Sequence, residues 1–164
     1  MNKIELGYGV FVTNLDAEGP NGFHIPEQRH LPSLTMSGGV CLDQDYYVGL
    51  GVTAGGLIPS YRILDHIGDA WLHVAGFVDF DYRPLDRVLS PMAYARAGAA
   101  YNAVYNGGDQ SQLSPYAEVG LGFNWYYAYR IVNMERNYRS LYLTVGAAYQ
   151  HFTVFLPIRL GIRF

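Results

Sequence analysis

The stretch Val154-Phe155-Leu156-Pro157-Ile158-Arg159-Leu160-Gly161-Ile162-Arg163-Phe164 decides how this chain is read. Val154, Leu156, Ile158, Leu160, Ile162 and Phe164 occupy alternate positions, with Phe155, Pro157, Arg159, Gly161 and Arg163 between them. Successive side chains of a strand point to opposite faces, so a period of two over this length is a strand with one wholly apolar face. The other face carries two arginines. Working outward, the same alternation recurs near residues 4–14, 33–42, 46–54, 71–82, 92–104, 116–129 and 141–149. In these segments the strand charges Glu5, Asp79, Asp81, Arg96, Glu118, Arg159 and Arg163 all fall opposite the apolar face, and His73 joins them. An Arg or Lys facing lipid near the midplane costs ~2–4 kcal/mol, so this segregation is what a lipid-facing surface demands. The expectation is an all-β chain over residues 1–164, one domain, forming a single eight-stranded antiparallel up-and-down transmembrane β-barrel.

Composition agrees. Charged residues make up 15% of the chain and hydrophobic residues 50%, with Tyr at 15 copies and Gly at 19. A soluble domain carries about 25% charged residues, whereas Tyr, Gly and β-branched residues favour sheet. The net charge of −3 leaves no basic footprint for nucleic acid. A lone Cys41 permits no internal disulfide and shows no metal-ligand spacing. No apolar run approaches the ~18 residues of a spanning helix. The N-terminus enters a strand pattern directly, without the features of a signal peptide, so the expectation is a mature-length chain whose export signal is not part of it.

A soluble barrel or sandwich with the faces reversed is the bland alternative. Its water-facing surface would then be mostly Gly, Ser, Thr, Tyr and Phe, too poor in charge for good solvation. That surface fits a narrow lumen better, with glycines leaving room for Phe11, Phe77, Tyr94, Tyr116 and Tyr142. Tyr46, Tyr82, Trp125, Tyr127 and Tyr129 gather at one predicted rim, and Tyr101 and Tyr149 toward the other, as interfacial girdles do. With a periplasmic N-terminus, the outer connections are expected near 15–31, 55–69, 105–113 and 150–153. The inner ones are expected near 43–45, 83–91 and 130–139, the last two longer than barrel turns usually are.

The whole pattern resembles the small eight-stranded outer-membrane β-barrels of Gram-negative bacteria, the OmpA/OmpX-type transmembrane domain. The ending Pro157 to Phe164 resembles the last strand of the Bacteroidetes-type outer-membrane barrel family. The resemblance implies an outer-membrane location, lipid contact, and recognition by the barrel-assembly machinery through Phe164 supported by Ile158, Leu160 and Ile162. It also implies no tether to peptidoglycan, because no further domain follows Phe164.

An eight-stranded bore is just wide enough for side chains to fill it. His73, Asp79, Asp81, Arg96, Glu118, Arg159 and Arg163 should therefore meet inside, with Arg96 touching Asp79 or Glu118. A plugging salt-bridge network is the simpler reading, and a gated ion path or ligand pocket the functional one. Catalytic sets are poor: His151 with Thr153 lacks an acid nearby, and Ser60, His66 and Asp69 share only a loop. His24, Glu27 and His30 have metal-ligand chemistry but sit in a Gly/Pro-bearing stretch, so neither metal nor cofactor is expected. Phe23, Ile25, Ile58, Tyr61 and Ile63 are apolar residues in outer loops, which suggests packing across the mouth or contact with envelope proteins. The leading expectation is a non-enzymatic outer-membrane barrel with a plugged polar lumen, a structural or interaction component acting through its loops, extending to an accessory subunit of an envelope complex. A lipid-modifying barrel enzyme and a soluble ligand-binding barrel are the alternatives.

Overall fold

A segment that alternates apolar with small or polar residues satisfies its backbone only by pairing along both edges, and closing the sheet removes the last free edge. The computed structural model describes residues 1–14, 29–42, 45–59, 71–84, 88–104, 112–132, 135–150 and 153–164. In chain order the strands are β1 (Asn2–Asn14), β2 (Arg29–Leu42), β3 (Tyr46–Pro59), β4 (Trp71–Tyr82), β5 (Leu89–Val104), β6 (Gln112–Val132), β7 (Glu135–Gln150) and β8 (Thr153–Arg163). Each pairs antiparallel with its sequence neighbours, and β1 also pairs with β8, so the sheet is a closed barrel. The seam ends on two backbone bonds. Asn2 N–H donates to the Phe164 carbonyl (2.8 Å), and Phe164 N–H donates to the Asn2 carbonyl (3.1 Å).

The alternation sets the faces. Leu6, Leu50, Leu121, Val145 and Ile158 are all about half exposed or more on the outside, while Glu5, Asp79, Arg96, Glu118 and Arg159 are buried within. A water-soluble barrel would reverse this. Aromatics mark the rim near the chain termini, where Tyr46 stacks on Tyr82 with ring centres 5.0 Å apart. Trp125 and Tyr127 lie outward at the same end, near the β6–β7 connection.

Several strands run longer than the sequence pattern predicts. Arg29–Leu31 belong to β2, residues 55–59 to β3, and 112–113 to β6, so the outer connections are shorter than expected. Inner connections shorten more. Arg130 pairs with Asn137, Ile131 with Arg136 and Val132 with Glu135, so the supposed 130–139 loop is mostly a continued hairpin. Leu89 and Pro91 likewise lie in β5, opposite Trp125 and Phe123. The in–out alternation continues into these extensions, with Ser90, Met92 and Ser114 buried and Leu89 and Leu113 exposed. Thr13, expected inside, is exposed, because a bulge between Phe11 and Thr13 resets the parity there.

Candidate functional site: the charged interior

Three neighbouring strands bring the central charges into one rung, since Arg96 on β5 is registered with Asp79 on β4 and with Glu118 on β6. Arg96 Nε donates to Asp79 Oδ1 at 3.1 Å and its Nη2 to Glu5 Oε1 at 2.5 Å, while Nη1 lies 3.8 Å from Glu118 Oε1. Arg159 reaches across from β8 as a fork, its Nε and Nη2 each 2.6 Å from a different Glu118 oxygen. This bidentate geometry is the strongest form of such a pair. Glu118 also accepts from the hydroxyls of Tyr94, at 2.7 Å, and Tyr116. Tyr142 donates to Glu5 Oε1 at 2.6 Å.

Toward the end carrying the termini, Lys3 pairs with Asp79 and with Asp81 Oδ2 (3.0 Å). Arg163 Nη2 lies 2.8 Å from the same Asp81 oxygen, and its Nη1 donates to Asn124 Oδ1 at 2.8 Å. The cluster is continuous. Four cations (Lys3, Arg96, Arg159, Arg163) meet four carboxylates (Glu5, Asp79, Asp81, Glu118), +4 against −4, and none of the eight is more than 4% exposed. Desolvating one such ion costs several kcal/mol, and charge balance among these buried groups is what makes the arrangement tolerable. Aromatic faces complete the lining, with the Arg163 guanidinium 4.4 Å from the Tyr142 ring centre and that of Arg96 near both Phe77 and Tyr94.

Glycine makes the space. A Cβ at Gly161 would lie 2.7 Å from Tyr142 Cε2, and one at Gly51 would lie 2.6 Å from Phe77 Cζ. His73 is buried, its ring 6.4 Å from that of Tyr116, whose hydroxyl donates to Glu118. Beyond it, toward the other end, Leu31, Leu57, Ala148 and Phe155 form an apolar layer, with Phe11 edge-on to Phe155.

The other sequence candidates scatter. Ile158, Leu160, Ile162 and Phe164 all face outward along β8. Phe23, Ile25, Tyr61 and Ile63 lie outside the described residues, as do His24, Glu27, Ser60, His66, Asp69 and His151. Ile58 lies in β3 opposite His30, so it is a strand residue by its backbone and not a loop residue. His30, expected in a loop, sits in β2 with its ring stacked on Tyr8, whose hydroxyl lies 2.5 Å from His30 Nδ1. Thr153 lies in β8, registered with Gln150. Among the described residues, no group of three His, Cys, Asp or Glu is placed to hold a metal ion.

Sequence reasoning missed Lys3, because the first strand was read from Ile4 onward. The parity of Glu5 was signal enough, since Lys3 stands two residues before it and points the same way. Arg83 was missed too. It is buried at the mouth near the termini, donating to Tyr126 Oη (3.1 Å) and approaching the exposed Cys41 Sγ (3.7 Å).

A closed eight-stranded antiparallel barrel with an apolar exterior and a charged interior has the fold of the small outer-membrane β-barrels. Among solved structures, Neisserial surface protein A aligns at a TM-score of 0.67 with 12% identity, covering 98% of this chain and 93% of that one. The N-terminal β-barrel domain of Pseudomonas aeruginosa OprF aligns at 0.49 with 16% identity over 99% and 96% of the two chains. Ail of Yersinia pestis aligns at 0.46 with 15% identity over 98% and 95%. At such identity the likeness is one of fold. No protein-family model matches the chain, and no curated protein sequence matches it.

Proposed function

We propose that this chain spans the outer membrane of a Gram-negative bacterium as a non-enzymatic barrel whose lumen is closed to solutes and whose outer connections meet other envelope components. One observation carries the reading: the apolar residues are on the outside and the charged ones are paired inside. That inversion is stable only in a non-aqueous surround, and the antiparallel closed barrel is the sheet form that leaves no backbone edge there. The outward row Ile158, Leu160, Ile162 and Phe164 is the part the barrel-assembly machinery would read. Closure of the lumen is supported by the balanced ion cluster and by the apolar layer of Leu31, Leu57 and Phe155. Work through the outer connections is supported by the apolar residues their sequence carries, Phe23, Ile25, Tyr61 and Ile63, and a place as an accessory subunit would use the same connections.

Refolding tests the membrane reading. The chain should fold only with detergent or lipid vesicles and then show heat-modifiable migration on a gel, whereas a soluble folded monomer without amphiphile would sink the proposal. Closure is tested in planar bilayers, where no conductance steps are expected, and steady single-channel currents would overturn it. For the enzyme alternative, phospholipid and lipopolysaccharide incubated with the barrel should release no more acyl chain than with a His151→Ala control.

A further inference from the structure

Among the described residues, one buried side chain has both of its polar atoms unpaired. Gln150, at the end of β7, is 1% exposed, and among the described residues neither its Nε2 nor its Oε1 has a hydrogen-bond partner. A fully buried amide with both atoms unpaired is rare, because the lost hydration is not replaced. Gln150 lines a cavity of about 10 Å³ inside the barrel, whose polar wall also includes Ser33, Thr53, His73, Tyr116 and Arg159. Arg159, which forks onto Glu118, borders this space, as do the apolar Leu31 and Phe155.

We infer that this cavity is a binding site for one long-lived water molecule, held by the Gln150 amide and the polar wall facing it. Size selects the ligand. A volume on the order of 10–15 Å³ holds a single water and nothing larger, and the water needs two to four polar partners. Gln150 offers a donor amide nitrogen and an acceptor oxygen, and Ser33, Thr53, His73 and Tyr116 are further polar residues of the same wall. Charge also selects. The Arg159 guanidinium in the wall disfavours a metal cation, and the paired Glu118 beyond it leaves no net charge to attract an anion. The occupant is therefore neutral water, one that links the charged centre of the lumen to the uncharged polar end of β7. This inference stands whether or not the barrel conducts.

The test is water–amide NMR on the refolded barrel in micelles, labelled at glutamine side-chain amides. A cross-relaxation peak of the bound-water sign between the Gln150 amide protons and the water resonance is expected. It should survive in Tyr116→Phe, which removes relay through that hydroxyl proton. Gln150→Met provides an independent reading with a side chain of similar length. With a water bound, losing the amide strands that water and lowers the urea midpoint. With a dry site, deleting an unpaired amide raises it. A missing water peak in the unaltered protein, or a raised midpoint for Gln150→Met, overturns the inference.

Discussion

Glu118 gathers more partners than any other carboxylate described, taking both arms of the Arg159 fork and two tyrosine hydroxyls, with Arg96 close by. Glu118 is 1% exposed, so each partner substitutes for hydration the carboxylate has lost. Removing one partner from a buried pair leaves an uncompensated charge and costs ~3–5 kcal/mol. Arg159→Met is accordingly expected to lower unfolding stability by that amount, read from urea titration in lipid vesicles. Glu118→Leu with Arg159→Met removes both charges, so the double variant should lose less than the sum of the two single losses. Additive losses in that cycle would show that the two side chains act independently. Lys3 has the same logic at smaller reach, since both its carboxylate partners, Asp79 and Asp81, retain an arginine without it.

Strand pairs place large rings beside residues with no side chain. Gly161 on β8 is registered with Tyr142 on β7 and with Glu5 on β1, so the Tyr142 ring lies over it and delivers its hydroxyl to Glu5. A methyl at position 161 would collide with that ring. Overpacking of this kind costs ~1–3 kcal/mol, so Gly161→Ala should lose that much in vesicle refolding. In a Tyr142→Ala background the added methyl should cost almost nothing, and an unchanged penalty there would place the clash elsewhere. The lipid face of the same strand answers a different test. Ile158, registered with Tyr8 and Val145, sits midway along β8, whereas Tyr82 lies at a strand end near the rim. Ile158→Arg should cost ~2–4 kcal/mol and Tyr82→Arg at most about 1 kcal/mol. Equal costs would mean that the outer surface does not span a bilayer as argued.

Across the whole molecule, hydrophobicity is turned outward and polarity inward, and stability depends on the surrounding solvent. Transfer of the folded barrel from vesicles to detergent-free buffer should cause aggregation, followed by light scattering, because the outward Leu, Ile and Val rows lose their apolar surround. A clear, monomeric solution after that transfer would contradict the inverted pattern.

Alternation along the chain was enough to read strand number, antiparallel closure and the assignment of faces. A two-residue period ties each side chain to a face with no long-range information, as the Val154–Phe164 stretch illustrates. It also set Arg96 on the same inner face as Asp79 and Glu118, whose strands flank its own, so that contact with one or the other was expected. What it did not determine were strand ends, because backbone pairing continues wherever two strands stay adjacent, as Arg130 pairs with Asn137. Only the closed barrel decided contacts across the bore, such as Arg159 with Glu118, Tyr142 with Glu5 and Arg163 with Asp81. Those pairs join strands far apart in sequence, and their reach depends on bore width, stagger and the glycines that admit each ring, quantities that exist only once the sheet has closed.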